Sequence, residues 1–376
     1  MILAHELGHY LTARLFDVHV LEFSVGMGPK LFSWRSKKSG ISYSLRLLPI
    51  GGFVQMVGEN GEDGPVSPER PEEQADAEAY AADSGESEPS TSAADDPRAL
   101  SKKPKWQRFI ILAAGGVTNI VIGMLLACVL VVSMPAIGST VISNFNEGAL
   151  SDSYLREGDV ITKINNTPVG GHMLLAYSIM YYGDKPVDVT VIRGADVKVN
   201  GKGEVVSYSG GEKMILRGVV FPSEKDDSSG AVFGSMDFKV KRAQKDFGRV
   251  VAQSVEYSGM MIRTVWDSIF DLIRGRYGIG SVSGPVGVSS EIGSAAKSGF
   301  SSLVYIVAIL SVNLGVVNLL PIPALDGGHI TFLLIEAIIR KPIKASVKSK
   351  INTVAIILLF GLATAIMIKD VIGLFA

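Results

Sequence analysis

The sequence predicts an α-helical protein that crosses a bilayer several times and carries a small membrane-associated β-sheet and an inserted α+β domain outside the membrane. Three observations lead there. Phe109–Ile137, Phe300–Leu325 and Ile351–Ile368 are uncharged apolar runs, and a spanning helix needs about 20 such residues, with somewhat fewer sufficing. Only 19% of the 376 residues are charged while 47% are hydrophobic, against roughly 25% charged in soluble domains. Basic residues also gather at the ends of these runs: Lys102, Lys103, Lys105 and Arg108 precede the first, and Arg340, Lys341, Lys344, Lys348 and Lys350 separate the second from the third. Cytoplasmic loops collect such residues, so both clusters are expected inside, residues 138–299 outside, and the last helix ends outside.

Residues 1–58 read as a short membrane helix followed by a sheet. ISYSLRL, Ile41 to Leu47, alternates apolar and polar positions as a half-buried strand does; Val18–Phe23 supplies a second strand, and LPIGGFVQM a glycine-punctuated turn into a third. Residues 59–104 form an acidic cytoplasmic loop. Between 59 and 100 stand thirteen acidic residues against Arg70 and Arg98, with no apolar periodicity, which predicts a disordered spacer or an acidic partner-binding segment. A first span, 105–137, leads into a compact mixed domain over 138–222, built of short β-branched runs and a Gly158–Asp159 turn before VITKIN. Within the following segment, 223–299, the row Val251, Val255, Ile262, Val265, Trp266, Ile269 and Ile273 makes a helical stripe with Arg249, Arg263 and Arg274 for its polar side. Such a helix lies on a bilayer surface or packs against the outer domain. Residues 300–340 hold a second span, and 341–376 a basic loop and a third. Cys128 is the single cysteine and lies in an apolar run, so neither an internal disulfide nor a multi-cysteine metal site is expected.

The chemistry concentrates in two places. The chain opens MILAHELGHYLTARLF. On a helix His5 and His9 share a face and can offer two nitrogens to one ion, with Glu6 beside them as a proton acceptor for an attacking water. A catalytic zinc takes a third protein ligand and leaves one position open. NLLPIPALDGGHI supplies candidates: Asp326 ends an otherwise uncharged span, where a carboxylate is costly without a task, and His329 three residues on is the rival. Pro321 and Pro323 break the helix just ahead, and the backbone groups they free need protein or trapped water. His19 and His172 have no partner at ligand spacing.

HELGH, LPIGGFVQM, AAGGVTNIVIG, GDVITKIN, SGPVGV and NLLPIPALDGGH fall in the order seen in the site-2 protease family, and the chain resembles its bacterial zinc intramembrane metalloproteases similar to the regulator of sigma-E protease. That resemblance implies that Zn2+ is held by His5, His9 and Asp326, that Glu6 is the general base, and that residues near 138–222 form a PDZ-like domain outside the membrane. It implies that Asn318, Pro321 and Pro323 handle substrate near the metal. The sheet around Gly51 and Gly52 resembles a membrane-reentrant β-hairpin whose edge would hold an extended substrate strand. The implied partners are the lipid bilayer and a single-span membrane protein substrate, such as an anti-sigma factor or a remnant signal peptide; no nucleic-acid partner is expected.

Family members carry an apolar stretch ahead of HExxH. Met1 to Phe16 rises about 24 Å, short of a core of about 30 Å, so 10–20 upstream apolar residues are expected, and an in-frame stop immediately upstream would contradict that. Two rival classes stand beside the protease: a catalytically inactive membrane scaffold using its PDZ-like domain, and a transporter with broken helices, for which no second half repeats the first.

Overall fold

The computed structural model describes residues 1–59, 96–226, 230–276 and 282–373. Most of the acidic segment, 60–95, lies outside them. Two compact units emerge, one of residues 1–121 and 313–362, the other of residues 122–312 with 363–376.

The first unit opens with α1, Ile2–Leu15, whose buried residues include His5, Glu6, Gly8, His9 and Ala13. The leucines at 3, 7, 11 and 15 form an exposed row on the other side, as the i, i+4 spacing of a helix requires. β1, Val20–Arg35, and β2, Ser42–Met56, pair antiparallel and are both bent. Residues 22–25 therefore register against both ends of β2, Glu22 opposite Ser42 and Gln55, while Lys30–Arg35 pair with Ser42–Arg46. Two folded strands thus do the work of the three expected ones. The half at Lys30–Arg35 is an addition to the sequence reading, made possible by Gly26 and Gly28 at φ +91° and +85°, a backbone conformation that glycine adopts without steric cost. Buried polar groups hold the fold of these strands: Arg46 donates to Glu22 Oε1 and Ser24 Oγ at 3.1 and 3.0 Å and to the Gly28 carbonyl at 3.1 Å. A buried charge is tolerated when paired and hydrogen-bonded in this way.

The chain then enters α2, Lys105–Ser133. It returns to this unit through the end of α6, Phe300–Asn318, then α7, Asp326–Ile339, and the part of α8, Ala345–Gly373, up to residue 362. α2, α6 and α8 are long and apolar enough to cross a membrane. Small residues bring backbones together: a Cβ on Gly116 would meet the Gly315 carbonyl at 2.9 Å, and one on Gly8 the Ala114 carbonyl at 2.6 Å. Close approach through small residues is how apolar helices gain packing where lipid offers no hydrophobic contrast.

The second unit is built on an eight-stranded sheet of order β7-β8-β12-β3-β4-β6-β9, with β5 beside β4. Its strands are β3 Ile137–Phe145, β4 Val160–Ile164, β5 Thr167–Pro168, β6 Val187–Arg193, β7 Asp196–Val199, β8 Val205–Ser209, β9 Glu212–Val219 and β12 Phe238–Ala243. A separate pair, β10 Ser223–Lys225 and β11 Val232–Gly234, precedes β12, and α3, His172–Tyr182, covers a core including Ile142, Ile161, Leu175, Ile179, Val189 and Phe238. The expected boundary at residue 222 falls inside this fold, because β12 pairs with β3; a strand contributed from beyond a turn carries no local signal. The Gly158–Asp159 turn has a clear reason. Gly158 sits at φ +86°, and Asp159, 1% exposed, accepts two bonds from Arg193 at 2.9 and 2.7 Å.

The stripe over 251–273 becomes α4, Phe247–Arg274, followed by α5, Pro285–Ser298. α4 attaches to the sheet domain by polar contacts: Glu256 accepts from the Gly170 and Gly171 amides, Tyr177 donates to Asp267, and Tyr181 to Asp271. Phe247, Val255 and Ile273 remain exposed, at 85%, 60% and 75%. The helix thus packs on the outer domain, one of the two arrangements expected for it.

Candidate metal centre

α1 supplies two imidazoles and α7 a carboxylate. His5 Nε2 and His9 Nε2 lie 3.1 and 3.2 Å from Asp326 Oδ2 and 3.3 Å from each other. Among the described residues they form the one group of three or more His, Cys, Asp or Glu side chains placed to hold a metal. His329 lies outside it and packs edge-on against Phe332 instead.

Local structure explains each placement. His5 and His9 share a face by the i, i+4 rule. Asp326 is the first residue of α7, where unsatisfied amides favour a carboxylate. α7 can start there because α6 stops at Asn318 and the chain turns back through Pro321 and Pro323, with Ala324 at φ +73° and its amide donating to Asn352 Oδ1 at 3.2 Å. Gly327 and Gly328 permit that crossing: a Cβ on Gly328 would meet the Ile322 carbonyl at 2.5 Å, and one on Gly327 the Leu319 carbonyl carbon at 2.6 Å. Hence the two glycines that follow the aspartate.

The nitrogens are also aimed. His9 Nδ1 donates to the Ile111 carbonyl at 2.8 Å, which puts the proton on Nδ1 and leaves a lone pair on Nε2 facing Asp326. Gly115 on α2 provides the space: a Cβ there would lie 2.8 Å from His5 Nε2 and closer still to His9 Nε2. Tetrahedral zinc with bonds of about 2.0–2.1 Å has ligand atoms about 3.3 Å apart. The three spacings match that, and two neutral imidazoles with a carboxylate are a donor set zinc accepts. The residues present fit a zinc ion and leave a fourth position for water or substrate.

Glu6 is buried, and its Cγ lies where a Cβ on Gly52 would reach within 2.9 Å. The same Cβ would lie 2.9 Å from the Ser24 carbonyl. Gly51 beside it sits at φ +79° against Met27. Among the described residues, segment 52–56 pairs with β1 on one side and has no strand on the other. Gly52→Ala is expected to push Glu6 aside by several tenths of an ångström, lowering any rate that depends on the Glu6 carboxylate about 10- to 100-fold with zinc content unchanged; rate and zinc measured on one preparation test this.

A model of "Peptidase family M50" matches residues 1–362. The chain belongs to peptidase family M50. It is 32% identical over 386 residues to a Clostridium acetobutylicum protein named "Putative zinc metalloprotease", covering 99% of this chain and 94% of that one. It is 27% identical to the regulator of sigma-W protease RasP of Bacillus subtilis, covering 100% and 96%, and 28% identical to the zinc metalloprotease RasP of Bacillus licheniformis, covering 100% and 97%. The protein is thus a membrane-associated zinc metalloprotease of the site-2 protease family.

The sequence reading brought Asn318 forward as a substrate group; its amide lies 3.4 Å from His5 Nδ1. It passed over Gly115, the Ile111 carbonyl and Asn119, whose amide lies 3.3 Å from the same His5 Nδ1. Asn119 carried a signal all the same, as an amide amid an uncharged span, where polar side chains have partners.

Proposed function

We propose that this M50 protease hydrolyses a peptide bond within or beside a transmembrane helix of its substrate, with His5, His9 and Asp326 holding the zinc and Glu6 as general base. One observation carries this: three metal-ligating atoms within 3.3 Å of one another, beside a buried glutamate, in a unit built from apolar helices. Zinc, when bound, polarises the scissile carbonyl and acidifies water. Glu6 takes the proton of the attacking water at its carboxylate and returns it to the departing amine.

A substrate helix hides its carbonyls in hydrogen bonds, so it must unwind before it is cut. The unpaired side of Gly52–Met56 offers a backbone edge on which an extended segment gains replacement bonds. Asn318 at the end of α6, and the break at Pro321 and Pro323, supply further polar groups for that segment. With the basic clusters cytoplasmic, α2, α6 and α8 make the protein multi-pass, the metal centre lies toward the cytoplasmic side, and the sheet domain is extracytoplasmic. That domain is PDZ-like in role, acting as a docking site or size filter for substrates already trimmed by another protease. RasP's description as a regulator of sigma-W supports an anti-sigma factor as target; a remnant signal peptide presents the same chemistry.

Purified full-length protein with a single-span substrate tagged at both ends tests this. Fragments whose new termini map inside or next to the span, lost on chelation, are expected. Cutting confined to soluble flanks far from the span, or undiminished by chelator, would contradict it.

A further inference from the structure

We propose that Asn119 is a positioning residue that fixes the tautomer of His5, separating its role from that of Asn318. This rests on the zinc reading of the site. His9 and His5 pose the same problem with different solutions. Each turns Nε2 toward Asp326, and a nitrogen that donates a lone pair to a metal leaves the ring proton on Nδ1, which then needs an acceptor. For His9 that acceptor is a backbone carbonyl, Ile111, which has no other orientation. Around His5 Nδ1 stand two carboxamides, each with its Nδ2 nearest the ring, Asn119 at 3.3 Å and Asn318 at 3.4 Å.

A carboxamide places either its oxygen or its NH2 at such a position, and the two are distinguished by the hydrogen bonds they make. If both amides presented NH2, His5 Nδ1 would accept, its proton would sit on Nε2, and that nitrogen could not bind a metal. Metal binding at His5 Nε2 therefore needs at least one of the two amides turned over to present Oδ1. Asn119 is 0% exposed and sits within α2, one turn after Gly115, the residue whose missing side chain makes room for the imidazoles. Asn318 is part-exposed and is the last residue of α6, where the chain breaks. The fixed group is suited to hold a ring, and the terminal one to meet substrate. With its amide turned over, which exchanges Nδ2 for Oδ1 at the same place, Asn119 Oδ1 accepts from His5 Nδ1–H and leaves the Asn318 amide for the substrate backbone.

Zinc affinity decides it, measured on purified full-length protein by competition with a chromophoric chelator. Asn119→Leu keeps the size and removes the acceptor: zinc should bind about 10- to 100-fold more weakly. Asn119→Asp restores an oxygen and should bind within about threefold of wild type, as should Asn318→Ala, whose change should appear in the KM for substrate. Melting of the metal-free proteins controls for folding and should be alike. Zinc affinity unchanged in Asn119→Leu overturns the proposal. So does equal loss in the Leu and Asp variants, which marks packing alone, or loss in Asn318→Ala in their place. Wild type lacking one zinc per chain would instead bring down the site reading, and this assignment with it.

Discussion

Glu6→Gln is expected to keep one zinc per chain and lose cleavage by about 10²- to 10⁴-fold, the usual contribution of a positioned general base. Glutamine has the same length and shape but cannot take the proton of an attacking water. Glu6 is also outside the three-atom cluster of His5, His9 and Asp326, so metal retention and catalysis should separate cleanly. Initial rates on a single-span substrate, with zinc measured on the same preparation, check this. Activity within tenfold of wild type would remove Glu6 from the chemistry. Comparison with Gly52→Ala adds a graded case, in which the carboxylate is present but displaced.

Gly115→Ala is expected to remove metal and activity together through one added methyl group. The Cβ would lie 2.7 Å from His5 Cε1 and 2.8 Å from His5 Nε2, and nearer to His9 Nε2. No atom in that set is the end of a flexible chain, since each ring is held at its other nitrogen and both residues sit on a helix packed against α2. Zinc affinity should fall by more than about 100-fold, beyond the loss of a single supporting hydrogen bond. Gly361→Ala is the matching control. It lies within α8 with nothing inside 4 Å of the new Cβ, and alanine is the better helix former, so zinc and rate should be unchanged. Normal zinc in Gly115→Ala would mean that the imidazoles are held otherwise than described.

What could be read in the sequence follows from what leaves a local trace. His5, His9 and Asp326 stood out because side chains able to ligate a metal are few in kind and because ionisable groups in apolar runs are conspicuous. The stripe of α4 was visible because helical periodicity repeats every few residues. The second half of β1 was missed: FSWR alternates over only four residues before a basic turn, and its pairing depends on a bend at Gly26 and Gly28 that only the folded strands reveal. The boundary at residue 222 failed for a related reason, since β12 belongs with β3 across nearly a hundred residues. Gly115 and Asn119 were present in a recognised motif but without roles. A glycine's function is the neighbour it admits, and an amide's is the ring it faces.

The central claim is that His5, His9 and Asp326 hold one zinc ion. X-ray absorption at the zinc edge of purified protein tests it most directly. Wild type should show two imidazole nitrogens and oxygen donors at about 2.0–2.2 Å with no sulfur, and Asp326→Ala should either lose the metal or lose an oxygen from the coordination sphere. A wild-type zinc with fewer than two imidazoles, or an Asp326→Ala protein with unchanged stoichiometry and spectrum, would contradict it.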